Sequence, residues 1–209
     1  MEITPDSYPR ASLYKILIGS VVPRPIGWIS TVNASGQPNL APFSFFNVVC
    51  AKPPTVLFCP MIRSTDGNTK DTLNNVKATG EFVVNIVSGE LAAQMVETSA
   101  EIAADVNEFE LARLESTPSV AVKPPRVAES PIHFECKLTQ IVEIGNQPGG
   151  GSVVIGEIVH LHVDERVLFS GDKIDLAVLK PIGRLAGSTY VRMTDLFEME
   201  RPKSQIPKE

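Results

Sequence analysis

The sequence predicts a mainly β fold with helical insertions, a closed or nearly closed antiparallel barrel. Three observations point there. The chain carries 14 Gly and 17 Pro in 209 residues, more than the usual ~12% share, and such punctuation favours short strands over long helices. Short apolar runs bounded by turn residues dominate both halves, with helical spacing only in the middle. The sustained strand–helix alternation of a doubly wound sheet is absent.

The first strong strand is Ile26–Val32, ending at the turn signal Asn33-Ala34-Ser35-Gly36, with Pro38-Asn39 starting the return. Leu40–Val49 is apolar and aromatic but interrupted by Pro42 and Asn47, so it reads as a strand running into a bent loop. Thr55–Cys59 is a short strand between prolines, and Phe82–Val87 is another. Between them, Leu73 and Val76 recur at helical spacing and Gly80 supplies a stop, which predicts a helix starting near Lys70–Thr72. A second helix is expected after Ser88 as N-cap, and a third, shorter one over Glu108–Leu114. Ile132–Gly145 and Ser152–Val163 flank Gln147-Pro148-Gly149-Gly150-Gly151 and read as a long antiparallel hairpin. Residues 1–10 and roughly the last dozen are polar ends, expected to be loosely held.

Composition excludes several classes. The formal net charge is −5 and the sequence pI about 5.3, so nucleic acid and anionic membrane surfaces are poor partners. No apolar run approaches the ~18 residues of a membrane span. The first ten residues lack the apolar stretch of a signal peptide. Three cysteines, Cys50, Cys59 and Cys136, form no CxxC pair. They lie in or beside apolar strands and read as small buried residues, and a reducing cytoplasm is the expected location.

The segment Arg63–Thr72 holds the most chemistry. Hydroxyls, two cations, Gly67 and a helix start are adjacent there. Unpaired N–H groups at a helix N-terminus carry partial positive charge. With Lys70, Arg63 and the Thr72 hydroxyl they could hold a phosphate. The plainer alternative is a surface loop with Thr69 or Asp71 as cap; GxxxxGK[ST] is absent. Ala41–Asn47 carries aromatic residues that would ordinarily fill core, but its Ser, Asn and backbone groups also suit the polar edge of a flat heteroaromatic ring. His160 and His162 share one face of a strand. They could begin a metal site with His133 or a carboxylate as third ligand, although no spacing signature supplies one, and a half-exposed or ligand-facing strand surface is the preferred reading. Glu108 and Glu110 read as a solvated helix face.

Taken together, Arg24-Pro25-Ile26-Gly27-Trp28-Ile29-Ser30-Thr31, Asn39–Asn47, Lys70-Asp71-Thr72 with Asn75, and Gly80–Asn85 resemble the flavin reductase-like, FMN-binding split-barrel family. Ala128–Pro131, Ile155–Val159 and Pro181–Leu185 continue the resemblance in order. It is nearest to flavin reductase components of two-component monooxygenases and to flavoredoxins. The resemblance implies a six-stranded antiparallel split β-barrel over residues 13–192, with 1–12 an N-terminal extension and 193–209 a C-terminal tail. It further implies a homodimer with FMN (FAD being possible) near the subunit interface, NADH or NADPH as cosubstrate, and a monooxygenase or electron-transfer partner. Lys70, Asp71 and Thr72, with Arg63 and Ser64 beside them, fall on the phosphate side. Ser44, Phe45, Phe46 and Asn47 fall along the isoalloxazine ring, with Ser30 and Thr31 on the adjoining strand. No catalytic acid or base is implied, and His160 and His162 are candidates for the nicotinamide side. Three activities fit: a reductase passing hydride from nicotinamide to flavin N5, a flavoredoxin-like electron carrier, and a flavin-binding module without redox turnover.

Overall fold

Seven strands form one antiparallel sheet: β1 (Gly27–Val32), β2 (Pro38–Phe43), β3 (Phe46–Ala51), β4 (Pro54–Phe58), β5 (Glu81–Ile86), β6 (Ile132–Glu143) and β7 (Ser152–Val163). The computed structural model describes residues 1–205; the last four residues of the expected C-terminal tail lie outside them. The sheet order is β2-β1-β5-β6-β7-β4-β3. Its two edges, β2 and β3, are consecutive in the chain and joined only by Ser44 and Phe45. A two-residue link spans only some 7 Å per pair of residues, so the sheet must curl until its edges meet. The result is a barrel split along the β2–β3 seam. Where a strand running into a bent loop was expected over Leu40–Val49, there are two strands, and the sheet has seven members where six were expected.

β1 is buried along its whole length because both faces are covered. Ile29 enters a core with Phe43, Phe46, Phe58, Phe82 and Val154. Trp28, on the opposite face, joins Leu40, Met95, Phe109 and Val127. Within the first core, Phe58 lies between Phe43 and Phe82 at ring-centroid distances of 5.1 and 5.2 Å. Full burial of such a side chain contributes roughly 1.5–3 kcal/mol. Two glycines make this packing possible. A Cβ on Gly156 would lie 2.4 Å from Phe82 Cζ, and one on Gly27 2.6 Å from Phe46 Cδ2.

Helix α2 (Asp71–Thr79) starts where the sequence predicts and stops at Gly80, which takes the left-handed conformation at φ 71°. Leu73 and Val76 pack into the first core. The β6–β7 hairpin is also as expected, pairing Ile132 with Val163 through Glu143 with Ser152.

Other elements differ. Helix α1 (Arg10–Ser20) occupies a stretch with no predicted element, preceded by a 3-10 turn over Pro5–Ser7. Its apolar residues are distributed around the helix and only Ile18 is buried, so there is no stripe to detect. After Ser88 the chain forms a 3-10 turn, then α3 (Ala92–Glu97), and the Ser88 side chain caps neither. Helix α4 (Glu108–Leu111) is shorter than predicted, because Arg113 turns to positive φ. Glu108 is buried, not solvated: its Oε2 accepts the N–H of Leu40 at 3.1 Å, and burial raises its pKa. Glu110 is exposed as expected. Cys136 is buried and Cys59 half-buried, but Cys50 is exposed, since β3 is an edge strand whose residues after Phe46 are all exposed.

Candidate functional site

The seam sets the site. Ser44 and Phe45 leave the edge of one half of the barrel and enter the other. Phe45 O accepts the N–H of Cys59 at 2.9 Å, and Ser44 Oγ accepts from Arg24 Nε at 3.3 Å. The Arg24 guanidinium also lies 5.9 Å from the Phe45 ring centroid. Phe46 turns inward against Gly27, and Asn47 is exposed on β3.

Beside the start of α2 is a cavity of about 560 Å³ walled by α1, Met61–Ser64 and Lys70. The charges here are unequal in availability. Arg63 is bound to Asp71 and lies 3.6 Å from Asp66, so two carboxylates compensate it. Lys70 faces the cavity with no carboxylate partner among the described residues. Its backbone is the N-cap of α2, and its carbonyl accepts the N–H groups of Leu73 and Asn74 at 3.0 and 3.2 Å. Ser64 is exposed on the same wall. Glu101 also lines the cavity, accepting from the Thr65 hydroxyl at 2.6 Å. Arg10 lines the cavity too, its Nη1 donating to the Pro148 carbonyl, and it also has no carboxylate partner among the described residues. The two cations, the hydroxyl and the helix start together suit a phosphate.

The remaining predicted residues are inside the wall. Thr72 is 1% exposed, and its Oγ1 accepts from Asn39 Nδ2 at 3.0 Å. Thr31 is fully buried and accepts from Asn75 Nδ2 at 3.0 Å. Ser30, also fully buried, donates to the carbonyl of Pro125. The bonds of Thr72 and Thr31 tie β2 and β1 to α2, so these two hydroxyls hold the barrel wall against the helix that Lys70 caps, while Ser30 fastens β1 to the segment at Pro125.

A second cavity, about 350 Å³, opens at Ser44 and is lined by Arg24, Arg184 and Tyr14. Tyr14 also lines the first cavity. Sequence reasoning assigned no role to these three residues. Arg24 and Arg184 do stand within motifs of the resemblance, but their meeting across 160 positions is a property of the fold.

The histidines belong elsewhere. His133, 1% exposed, donates from Nε2 to the carbonyl of Val127 at 2.8 Å. Its Nδ1 is therefore the acceptor for His162 Nδ1, 3.1 Å away. Burial, the largest influence, lowers the His133 pKa to about 4. His160 and His162 line neither cavity. Among the described residues no group of three or more His, Cys, Asp or Glu is placed to hold a metal.

The chain belongs to the flavin reductase-like family, whose domain model matches residues 18–175, and the curled antiparallel sheet with its seam is consistent with that membership. Among solved structures, it is similar to nitrilotriacetate monooxygenase component B from Bacillus cereus, at 35% identity and TM-score 0.89, covering 95% of this chain and 98% of that one. It is also similar to 2-nitrobenzoate 2-nitroreductase from Pseudomonas fluorescens, at 31% identity and TM-score 0.86, covering 100% and 99%. A Shewanella frigidimarina structure with a split barrel domain shares the fold at 23% identity and TM-score 0.81, covering 97% of this chain and all of that one.

Proposed function

We propose that the protein binds FMN and works as an NAD(P)H-dependent flavin reductase. The observation that carries this reading is Lys70: an ammonium without a carboxylate partner among the described residues, at the start of α2, facing a cavity large enough for a nucleotide's phosphate and ribityl chain. Ser64 would add a hydroxyl and Arg63 a shared charge. Ser44, Phe45 and Asn47 would lie along the ring. Ser30, Thr31, Phe46, Asp71 and Thr72 would act from behind, holding these groups in place. The flavin, when bound, supplies the hydride-accepting chemistry, which needs no protein nucleophile; the chain's part is to orient ring and nicotinamide and to limit water.

The similarity to a monooxygenase component B supports a partner oxygenase that consumes the reduced flavin. Val48 and Val49 on the edge strand β3 are each about half exposed. Exposed apolar residues on a sheet edge commonly meet a partner, which supports a homodimer packed over this edge. A cytoplasmic location fits the exposed Cys50 thiol. The experiment is direct: anaerobic addition of NADH, then NADPH, to the FMN-loaded protein. A flavin that stays oxidised under both donors would replace the reductase with a carrier fed by a protein partner.

A further inference from the structure

We propose that the cavity lined by Arg24 and Arg184 is a binding site for a small planar organic acid. The two arginines are held side by side by their own backbones. Arg24 N donates to Arg184 O and Arg184 N to Arg24 O, both at 2.9 Å. In an antiparallel pair that exchanges both bonds, the two side chains leave on the same face. Both line the cavity of about 350 Å³ at Ser44.

Neither guanidinium has a carboxylate within ion-pair distance among the described residues. Arg24 is 5% exposed. Its Nη1 donates to the carbonyls of Ile18 (2.5 Å) and Val21 (3.0 Å), its Nη2 to that of Leu185 (2.9 Å), and its Nε to Ser44. One of its five N–H groups remains. Arg184 donates to the Tyr190 hydroxyl and the Gly187 carbonyl, and stacks over the Tyr190 ring at 4.5 Å. Three of its N–H groups remain. Burial pulls the Arg24 pKa down; the nearby Tyr14 opposes this and the like charge of Arg184 adds to it.

Two neighbouring cations with spare donors and no counter-charge are costly as they stand, and an anion would relieve the cost. Guanidinium forks match carboxylates bidentately. Ser44 and Ser99 add hydroxyls to the lining, and its apolar and aromatic part includes Ile18, Ile26, Pro42, Met95 and Tyr14. They suit a flat hydrocarbon body behind an acidic group. The volume is at the small end of ligand pockets, about 300–1,000 Å³, which favours a single-ring acid over a whole dinucleotide. The adjacency of this site to a flavin ring rests on the function proposed above; the acid site itself does not.

Calorimetric titration of the flavin-free protein with benzoate tests the proposal, with inorganic pyrophosphate as the second probe. Benzoate is expected to bind saturably at one per chain. Arg184→Gln should weaken it at least tenfold, and Arg184→Lys by less, while thermal unfolding of both variants stays near that of the parent. No saturable benzoate binding, an unchanged affinity in Arg184→Gln, or saturation by pyrophosphate alone would each overturn it. A parallel FMN titration separates the two readings. Benzoate binding without FMN binding would remove the flavin assignment and leave the acid site standing.

Discussion

Replacing Lys70 by alanine removes the cation at the start of α2, which has no carboxylate partner among the described residues. A hydrogen bond to a charged group contributes about 1.5–3 kcal/mol. At about 1.4 kcal/mol per factor of ten, FMN affinity should fall by roughly ten- to a hundredfold. Riboflavin has the same ring and ribityl chain without the phosphate, so its affinity should change less than about threefold. Arg63→Ala should be milder toward FMN, since Asp66 and Asp71 already share that charge. The assay is quenching of flavin fluorescence on titration with protein, at low and high salt. Screening should compress the FMN difference and leave the riboflavin values alone. Equal weakening of FMN and riboflavin would refute the reasoning, because it would place Lys70 on the ring or in the fold.

Three further outcomes are expected. Gly156→Ala forces a methyl to within 2.4 Å of Phe82 Cζ and 3.2 Å of the Lys137 carbonyl, and should cost about 1–3 kcal/mol, read as a lower urea midpoint. His133 has a folded pKa of about 4 against 6.5 when unfolded, so the unfolded chain binds the extra proton between these values. The stability tied to neutral His133 is complete above pH 6.5 and is lost as pH falls toward 4, on the order of 3 kcal/mol at most. His133→Gln should flatten the urea midpoint across that window. Val49→Asp on the edge strand β3 should convert a dimer to a monomer in light scattering, and an unchanged mass in the parent and variant would remove the proposed interface.

Legibility in the sequence followed the range of the interactions. The strands and α2 were readable because each is a local pattern: an apolar run between turn residues, or Leu73 and Val76 ahead of Gly80. Helix α1 was not, since Ile16 and Leu17 are exposed while Ile18 alone is buried. The division at Ser44–Phe45 escaped because the two halves of one apolar run serve opposite sheet edges. Glu108 was misread for a similar reason: its partner, the Leu40 N–H, lies 68 residues away. Within the candidate site, the motif around Lys70 was visible as clustered polar residues. What could not be seen is that Thr31 and Thr72 are satisfied internally, and that Arg24 and Arg184 share a bridge.

The most direct test of the central claim is the visible spectrum of the FMN-loaded protein, followed anaerobically after NADH and then NADPH. Rapid loss of the flavin band near ~450 nm with one donor is the expected result. A bound flavin that remains oxidised with both would contradict the reductase.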